Sequence, residues 1–192
     1  MERHLFLIGP TGSGKSSLLR RILGAQLAAA GGFVTDSALG AYGELVGFTL
    51  SPAAAAAGVA GFVPERYLDC TKFPPRCDNE VFRRTGVRLL EEADCYPFAL
   101  LDEIGGHELL IPPFREALYA LLRSPLPTLG ALKTFEEADA LRQALGLGRK
   151  WLGCRETLDG LLAEDGDCRV IELCADPAGA EAAVEAWKNA YL

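Results

Sequence analysis

Apolar and polar positions along the chain fall into short continuous apolar runs and longer stretches that have one apolar face. The short runs end at Gly, Pro or charged residues and predict β-strands at His4–Ile8, 33–36, 44–50, 98–101, Thr128–Leu132 and 168–174. In the longer stretches apolar residues recur at i, i+3, i+4 and i+7, which is the helical period. These stretches predict a helix that follows Gly14 and ends at Gly31 and Gly32, and further helices that cover 79–93, open at Pro112, run over 134–145 and open at Pro177.

The alternation of strands with helices predicts an α/β fold with a mostly parallel sheet and helices on both faces. The run 98–101 has no polar position, as in a central parallel strand that is covered on both sides. Residues 33–50 predict an early β-hairpin, whereas 51–79 predict an irregular segment rich in Ala, Gly and Pro. Residues 135–166 predict a possible helical insertion, with a short helix around 158–163. We expect a single domain over 1–192.

Composition and net charge indicate a globular protein and argue against general nucleic-acid binding. The chain has 192 residues, of which 49% are hydrophobic and 23% are charged, and these values are typical of a globular protein. The formal net charge is −7, and an acidic chain gains nothing from releasing counterions on a phosphate backbone. We therefore expect no general nucleic-acid binding, although a local basic pocket for a small anion fits this charge.

No targeting or membrane segment is expected. The apolar run after Arg3 is shorter than the core of a signal peptide, which spans about 7–15 residues. The stretch 45–64 carries no charge, but its two prolines, three glycines and Ala-rich part predict a strand followed by a flexible connection. The six cysteines form no Cys-x-x-Cys pair, and we expect spectator thiols, with a metal or redox pair at Cys70 and Cys77 as the alternative. These features predict a cytoplasmic protein.

The first strand leads into a complete phosphate-binding loop, the P-loop or Walker A signature Gly-x-x-x-x-Gly-Lys-Ser. Its glycines allow successive backbone N–H groups to point at phosphate oxygens, and the following helix adds its N-terminal dipole. Lys15 supplies a charge to the β- and γ-phosphates, and the Ser16 hydroxyl is a ligand for Mg²⁺. The predicted nucleotide-binding residues are Gly9, Pro10, Thr11, Gly12, Ser13, Gly14, Lys15, Ser16 and Ser17.

A P-loop needs a carboxylate for the Mg²⁺ ion, and Asp102 follows the buried run 98–101 as a Walker B residue would. It is expected at the carboxyl edge of the sheet, where open α/β folds bind ligands. The next residue, Glu103, is suited to orient or deprotonate a water molecule. The sequence therefore predicts Ser16 and Asp102 as the metal site, and Lys15 and Glu103 as catalytic residues.

Other charged residues carry weaker signals. Lys133 ends a predicted core strand at the same edge of the sheet and is a candidate for sensing the γ-phosphate. The alternative is a charged residue that simply ends the strand. His107 is expected to face solvent in a loop. Six arginines are candidates for stabilising the transition state, and the sequence does not choose among them: Arg66, Arg76, Arg83, Arg84, Arg88 and Arg115.

Motifs outside the P-loop narrow the choice of family. The chain has no Asn-Lys-x-Asp element for reading guanine, no Leu-Ser-Gly-Gly-Gln of transporter ATPases and no Arg-rich kinase lid. It does have HLFLIGP at 4–10, GFVT at 32–35, VGF at 46–48, LLEEAD at 89–94, LDEIG at 101–105 and FREA at 114–117. With these segments the chain resembles the small P-loop nucleoside-triphosphatases, a family that includes thermophile enzymes and the human cancer-related nucleoside-triphosphatase. The resemblance covers about residues 3–133 and 168–190.

The resemblance implies a three-layer, RecA-like P-loop NTPase fold with an early hairpin, and an Mg²⁺-dependent hydrolase of broad base specificity. Its substrate would be a nucleoside triphosphate such as ATP or GTP, and its products a nucleoside diphosphate and phosphate. The chain departs from the family at 71–77, at 36–43 and at Gly106 and His107, and 135–166 is longer. Two alternatives stay open: a kinase that transfers the γ-phosphate to a small acceptor, and a nucleotide-gated switch that needs a protein partner.

Overall fold

A computed structural model describes residues 2–164 and 166–192, and a mixed eight-stranded sheet forms its centre. The strands are β1 His4–Ile8, β2 Ala30–Leu39, β3 Leu45–Pro52, β4 Glu65–Asp69, β5 Arg76–Cys77, β6 Phe98–Ile104, β7 Thr128–Leu132 and β8 Cys168–Glu172. The α-helices are α1 Lys15–Leu23, α2 Val87–Glu91, α3 Pro112–Arg123, α4 Phe135–Ala144, α5 Lys150–Glu164 and α6 Pro177–Tyr191. A π-helical turn, Val81–Gly86, leads directly into α2.

The order of strands in the sheet is β5-β4-β3-β2-β6-β7-β1-β8. The five strands from β2 to β8 in this order pair in parallel, while β2, β3, β4 and β5 form an antiparallel meander at one edge. One strand, β7, therefore lies between β1, which leads into the P-loop, and β6, which carries Asp102 and Glu103. This arrangement brings the ends of β1, β7 and β6 together at one edge.

Helices cover both faces of the parallel part of the sheet, which confirms the predicted three-layer α/β fold. On one face α1 and α6 pack against Leu5 and Leu7 of β1, with Trp187 fully buried among them. On the other face α2, α3 and α5 pack around Phe6, Phe114 and Trp151. The alternation of Leu5, Phe6 and Leu7 between the two cores is the period-2 pattern of a strand that is buried on both sides.

The first helix ends earlier than the sequence predicts. It stops at Gly24, which has a φ of 52°, and a 3₁₀ segment, Gly24–Ala29, carries the chain into β2. Gly31 and Gly32, which were expected to end the helix, lie inside β2. Gly32 has a φ of 80°, and a Cβ atom there would lie 2.4 Å from the carbonyl oxygen of Leu100. The glycine is needed because β2 and β6 approach each other so closely.

The region 51–79 is more regular than predicted. The early hairpin spans Ala30–Leu39 and Leu45–Pro52, beyond the expected 33–50, and two further strands, β4 and β5, extend it. Expecting only irregular chain here was wrong, because β4 has five residues and β5 has two, too few to show a period. The strand β4 forms because it pairs with β3, not because of a pattern in its own sequence. In this position its Tyr67 and Leu68 are buried.

Two helices, α4 and α5, lie in the described part of the predicted insertion, residues 135–164. The hydroxyl of Thr134 accepts a hydrogen bond from the Glu137 N–H at 3.3 Å and so caps α4, as the sequence predicts. Where a short helix was expected at 158–163, the structure has the 15-residue helix α5. Its two glycines interrupt the apolar period, so the sequence pattern does not indicate the full length of the helix. The strand expected at 168–174 ends at Glu172. In residues 2–164 and 166–192 no helix is both long and apolar enough to cross a membrane.

Candidate active site

The P-loop connects β1 to α1, as the sequence predicts. Gly12 and Gly14 have φ values of 80° and 93°, so the loop depends on conformations that L-residues rarely adopt. The ammonium of Lys15 is buried against the loop and donates to the carbonyl oxygens of Gly9 at 2.6 Å and Pro10 at 3.1 Å. Burial lowers the pKa of Lys15, while the nearby carboxylates of Glu103 and Glu137 oppose this shift. These bonds hold the Lys15 ammonium against the predicted phosphate-binding loop.

Asp102 is fully buried at the end of β6 and has two partners on α1. The Ser16 hydroxyl donates to its Oδ1 at 2.5 Å, and the Arg20 guanidinium donates to its Oδ2 at 3.0 Å. Burial raises the pKa of Asp102, and the bonds from Ser16 and Arg20 oppose the shift. A hydroxyl and a carboxylate are the hard oxygen ligands that Mg²⁺ prefers. The predicted metal residues therefore lie together and fit the ion chemically.

Arg20 is a site residue that the sequence reasoning missed. It also donates to the carboxylate of Asp36 on β2 at 2.7 Å, so it joins the hairpin to the buried Asp102. Its position four residues after Ser16 puts both side chains on one face of α1, and this spacing is a signal that could have found it. A cavity of about 240 Å³ opens here between the P-loop and the hairpin.

Glu103 projects from a strained point in β6. It is the one non-glycine with positive φ among the described residues, at 73°, and such a conformation costs roughly 1–3 kcal/mol. The pairing of β6 with β7 shifts register between Leu101 and Ile104, on either side of this bend. The Glu103 carboxylate lies 2.8 Å from the Lys133 ammonium at the end of β7. The two predicted charges at this edge of the sheet therefore form a pair.

The loop after Glu103 is fixed from several sides. Glu108 is buried and accepts from the N–H groups of both Gly105 and Gly106 at 2.7 Å. From α5, Trp151 donates to the Gly106 carbonyl at 2.8 Å, and Arg155 donates to the carbonyls of Gly105 and Lys133 at 3.3 and 3.0 Å. Trp151 and Arg155 come from the region predicted as a possible helical insertion, for which the sequence indicated no role at the site. These contacts hold the backbone on both sides of the Glu103–Lys133 pair.

His107 does not face solvent, contrary to the sequence expectation. Only 6% of it is exposed, because it packs between the rings of Tyr67 and Phe82. Tyr67 belongs to β4, a strand that the sequence did not reveal, so the cover over His107 could not be foreseen.

The six candidate arginines lie apart from the P-loop in the described contacts. Arg83 and Arg84 pair with Glu80 and Glu65, and Arg115 donates to the Leu109 carbonyl. Arg66 and Arg76 line a separate cavity beside β4 and β5, and Arg88 is exposed on α2. All six cysteines are free thiols, and the described residues contain no His, Cys, Asp and Glu cluster suited to a metal. Burial raises the pKa of Cys77 to about 12, which opposes a reactive thiolate at that position.

Comparisons with known proteins agree with this geometry. A family described as NTPase matches residues 4–150. The cancer-related nucleoside-triphosphatase homolog of Mus musculus is 28% identical over 137 residues, which cover 65% of this chain and 72% of the mouse protein. The crystal structure of THEP1 from the hyperthermophile Aquifex aeolicus superposes with a TM-score of 0.62 at 16% identity, covering 94% of this chain and 96% of that one. At that identity the structural likeness shows the fold alone, and it is the P-loop NTPase fold.

We expect Arg155→Gln to lower the free energy of unfolding by about 2–4 kcal/mol, because two buried carbonyls lose their donor. Glu156→Gln is the matched control, since it removes an exposed charge next to Arg155 on α5 and should cost less than about 1 kcal/mol. Urea unfolding followed by the fluorescence of the two buried tryptophans measures both variants. Equal small losses would show that Arg155 does not hold the loop.

Proposed function

The chain belongs to the NTPase family, and from that membership we propose that it is an Mg²⁺-dependent phosphohydrolase. The reaction would convert a nucleoside triphosphate and water into the nucleoside diphosphate and phosphate. That the protein is a nucleoside-triphosphatase, a hydrolase, follows from the family and the mouse relative. One observation carries the finer proposal: Ser16 of the P-loop is bonded to the buried Asp102, and Glu103 follows Asp102 at the same cleft.

The P-loop would hold the phosphates through its N–H groups and through Lys15. The Lys15 ammonium donates hydrogen bonds to two carbonyls of its own loop. Phosphate oxygens are stronger acceptors for an ammonium than neutral carbonyls, so the lysine would turn from the loop to the β- and γ-phosphates. Its charge then offsets the negative charge that builds up as the γ-phosphoryl group leaves.

Mg²⁺ would be held by Ser16 and Asp102, whose oxygens suit it. A bound Mg²⁺ ion would neutralise part of the negative charge on the phosphates. Arg20 has a separate part, because its guanidinium lies on the other oxygen of Asp102 and favours the ionised carboxylate. Arg20 also bonds Asp36 on β2, so a change in the charge of Asp102 would alter how the hairpin is held.

Glu103 would act as the general base on the attacking water. The bent backbone at φ 73° directs this residue away from the regular strand pattern, and strain of this kind is typical of functional positions. Lys133, 2.8 Å away, keeps the carboxylate in place before substrate binds. A γ-phosphate would compete for Lys133, and the carboxylate would then be free to accept the proton of water.

Broad base specificity is part of the proposal, because affinity would come mainly from the phosphates and the metal. We also propose a cytoplasmic location, which the six free cysteines support, since reducing compartments keep thiols unpaired.

ATP, GTP, CTP and UTP should be hydrolysed with kcat/KM values within about tenfold of one another, or about 1.4 kcal/mol. Phosphate release by the purified protein, with Mg²⁺ and with EDTA, measures this and tests the metal at the same time. A thousandfold preference for one base would reveal a base pocket, and undiminished release in EDTA would contradict the Mg²⁺ dependence.

Glu103→Gln should lower single-turnover phosphate release by about 10²–10⁴-fold, because it removes the base and keeps the shape. Nucleotide affinity should stay near the wild-type value. Asp102→Asn should weaken both Mg²⁺-nucleotide binding and turnover, because the carboxylate serves the metal. Rapid-quench kinetics and calorimetric titration separate these two effects.

The matched control is Glu136→Gln, which removes one negative charge from an exposed position on α4. It should leave both quantities unchanged. Release by Glu103→Gln within about threefold of wild type would mean that another group, or the substrate itself, activates the water.

A further inference from the structure

A second cavity opens beside Glu103 and also touches the P-loop at Thr11. It measures about 160 Å³ and is largely apolar. Its walls include the side chains of Phe48, Tyr67, Leu68, Phe82 and Leu141, and we call it the aromatic cavity. Thr11, Phe48 and Glu103 line both this cavity and the one beside Ser16. The two spaces therefore meet at the residue proposed as the base.

The size of the aromatic cavity selects a small ligand. An apolar cavity of roughly 150 Å³ accommodates a molecule of the size of benzene. Three aromatic side chains in the wall favour a planar ring, since aromatic pairs gain from stacked and edge-to-face contacts. A single ring with a short substituent fits this volume.

His107 forms part of the cavity wall. It is buried between Tyr67 and Phe82, with ring centroids at 5.8 and 5.5 Å, and its Nε2 has no hydrogen-bond partner among the described residues. Because this Nε2 is itself enclosed, it does not bond a ligand in the cavity, and His107 contributes to the wall as a fourth ring. Burial also lowers the pKa of His107, which favours a neutral ring.

Carboxylates outnumber ammonium groups in the cavity wall, where Glu103, Glu108 and Glu137 lie beside Lys133. Lys133 pairs with Glu103, whereas Glu108 and Glu137 accept from backbone N–H groups, which carry no formal charge. The excess of negative charge disfavours an anionic ligand, and an uncharged one avoids this repulsion.

We propose that the aromatic cavity binds a small uncharged molecule that has one aromatic ring and a hydroxyl group, and that this hydroxyl accepts the γ-phosphoryl group in place of water. The inference rests on the proposed function, because it needs a nucleoside triphosphate at the P-loop. Glu103 lines both spaces and pairs with Lys133, so a hydroxyl that reaches Glu103 from the cavity would meet the γ-phosphate end of the nucleotide.

The reaction balances without any further reactant. The hydroxyl proton passes to the Glu103 carboxylate while its oxygen forms a bond to the γ-phosphorus. The bond from that phosphorus to the β–γ bridging oxygen breaks, and the nucleoside diphosphate leaves. The products are a phosphate ester and the diphosphate, and Glu103 returns its proton to solvent.

Benzyl alcohol is a suitable probe, because it has one ring and one hydroxyl. With Mg²⁺-ATP, ³¹P NMR should show benzyl phosphate forming saturably with probe concentration, together with free phosphate. The ratio of ester to phosphate is the readout, since it does not depend on how much of the enzyme is active. Leu141→Trp fills the cavity and should lower this ratio at least about tenfold.

The matched control is Leu145→Trp, one turn further along the chain and outside the cavity wall, which should leave the ratio unchanged.

Three results would overturn the proposal: no ester at saturating probe, a ratio that Leu141→Trp does not change, or exclusion of the probe by Mg²⁺-ADP. Exclusion would assign the cavity to the nucleotide base instead. Phosphate release without the probe distinguishes failure of the acceptor site from failure of the proposed hydrolysis. If that release persists and no ester forms, hydrolysis stands and the acceptor site is wrong, whereas absence of both means that the proposed function itself fails.

Discussion

The hydrogen bond from Ser16 to the buried Asp102 is the contact on which the site depends. It joins the first turn of α1 to the end of β6 across the intervening strand β7, at 2.5 Å. A carboxylate that is 1% exposed is stable only with partners, because burying an unpaired charge costs several kcal/mol. Ser16 and Arg20 supply those partners from one face of α1. The P-loop helix and the central strand are thereby held in the arrangement that an Mg²⁺-nucleotide would need.

From this contact the rest of the site extends along the sheet edge. One residue beyond Asp102 the strand bends at Glu103, and its strain is maintained by the loop that follows. Glu108 holds the N–H groups of that loop, while Trp151 and Arg155 hold its carbonyls. A rigid loop under a strained residue is how proteins keep a catalytic group in an unfavourable conformation. The helix α5 therefore has a part in the proposed active site, although it contacts neither the P-loop nor Asp102 through these bonds.

The sequence was most informative where the chemistry is local. The P-loop, the strand before it and the Asp-Glu pair after a buried run are short, contiguous patterns, and the structure has them where they were predicted. The strands β4 and β5 were missed, because their form comes from pairing with β3. The buried state of His107 follows from that same sheet extension. Arg155 and Trp151 were missed because Gly153 and Gly160 obscure the helical period of α5 and because their partners are 45 and 50 residues away.

The central claim is that a nucleoside triphosphate is hydrolysed at the P-loop with Lys15 stabilising the phosphates. The most direct measurement is phosphate release from Mg²⁺-ATP by Lys15→Ala, beside the wild type and Lys150→Ala, which removes an exposed lysine at the start of α5. The account predicts that Lys150→Ala keeps wild-type turnover, while Lys15→Ala loses at least about 100-fold, or about 2.7 kcal/mol of transition-state stabilisation. Turnover of a folded Lys15→Ala protein within about threefold of wild type would contradict the account.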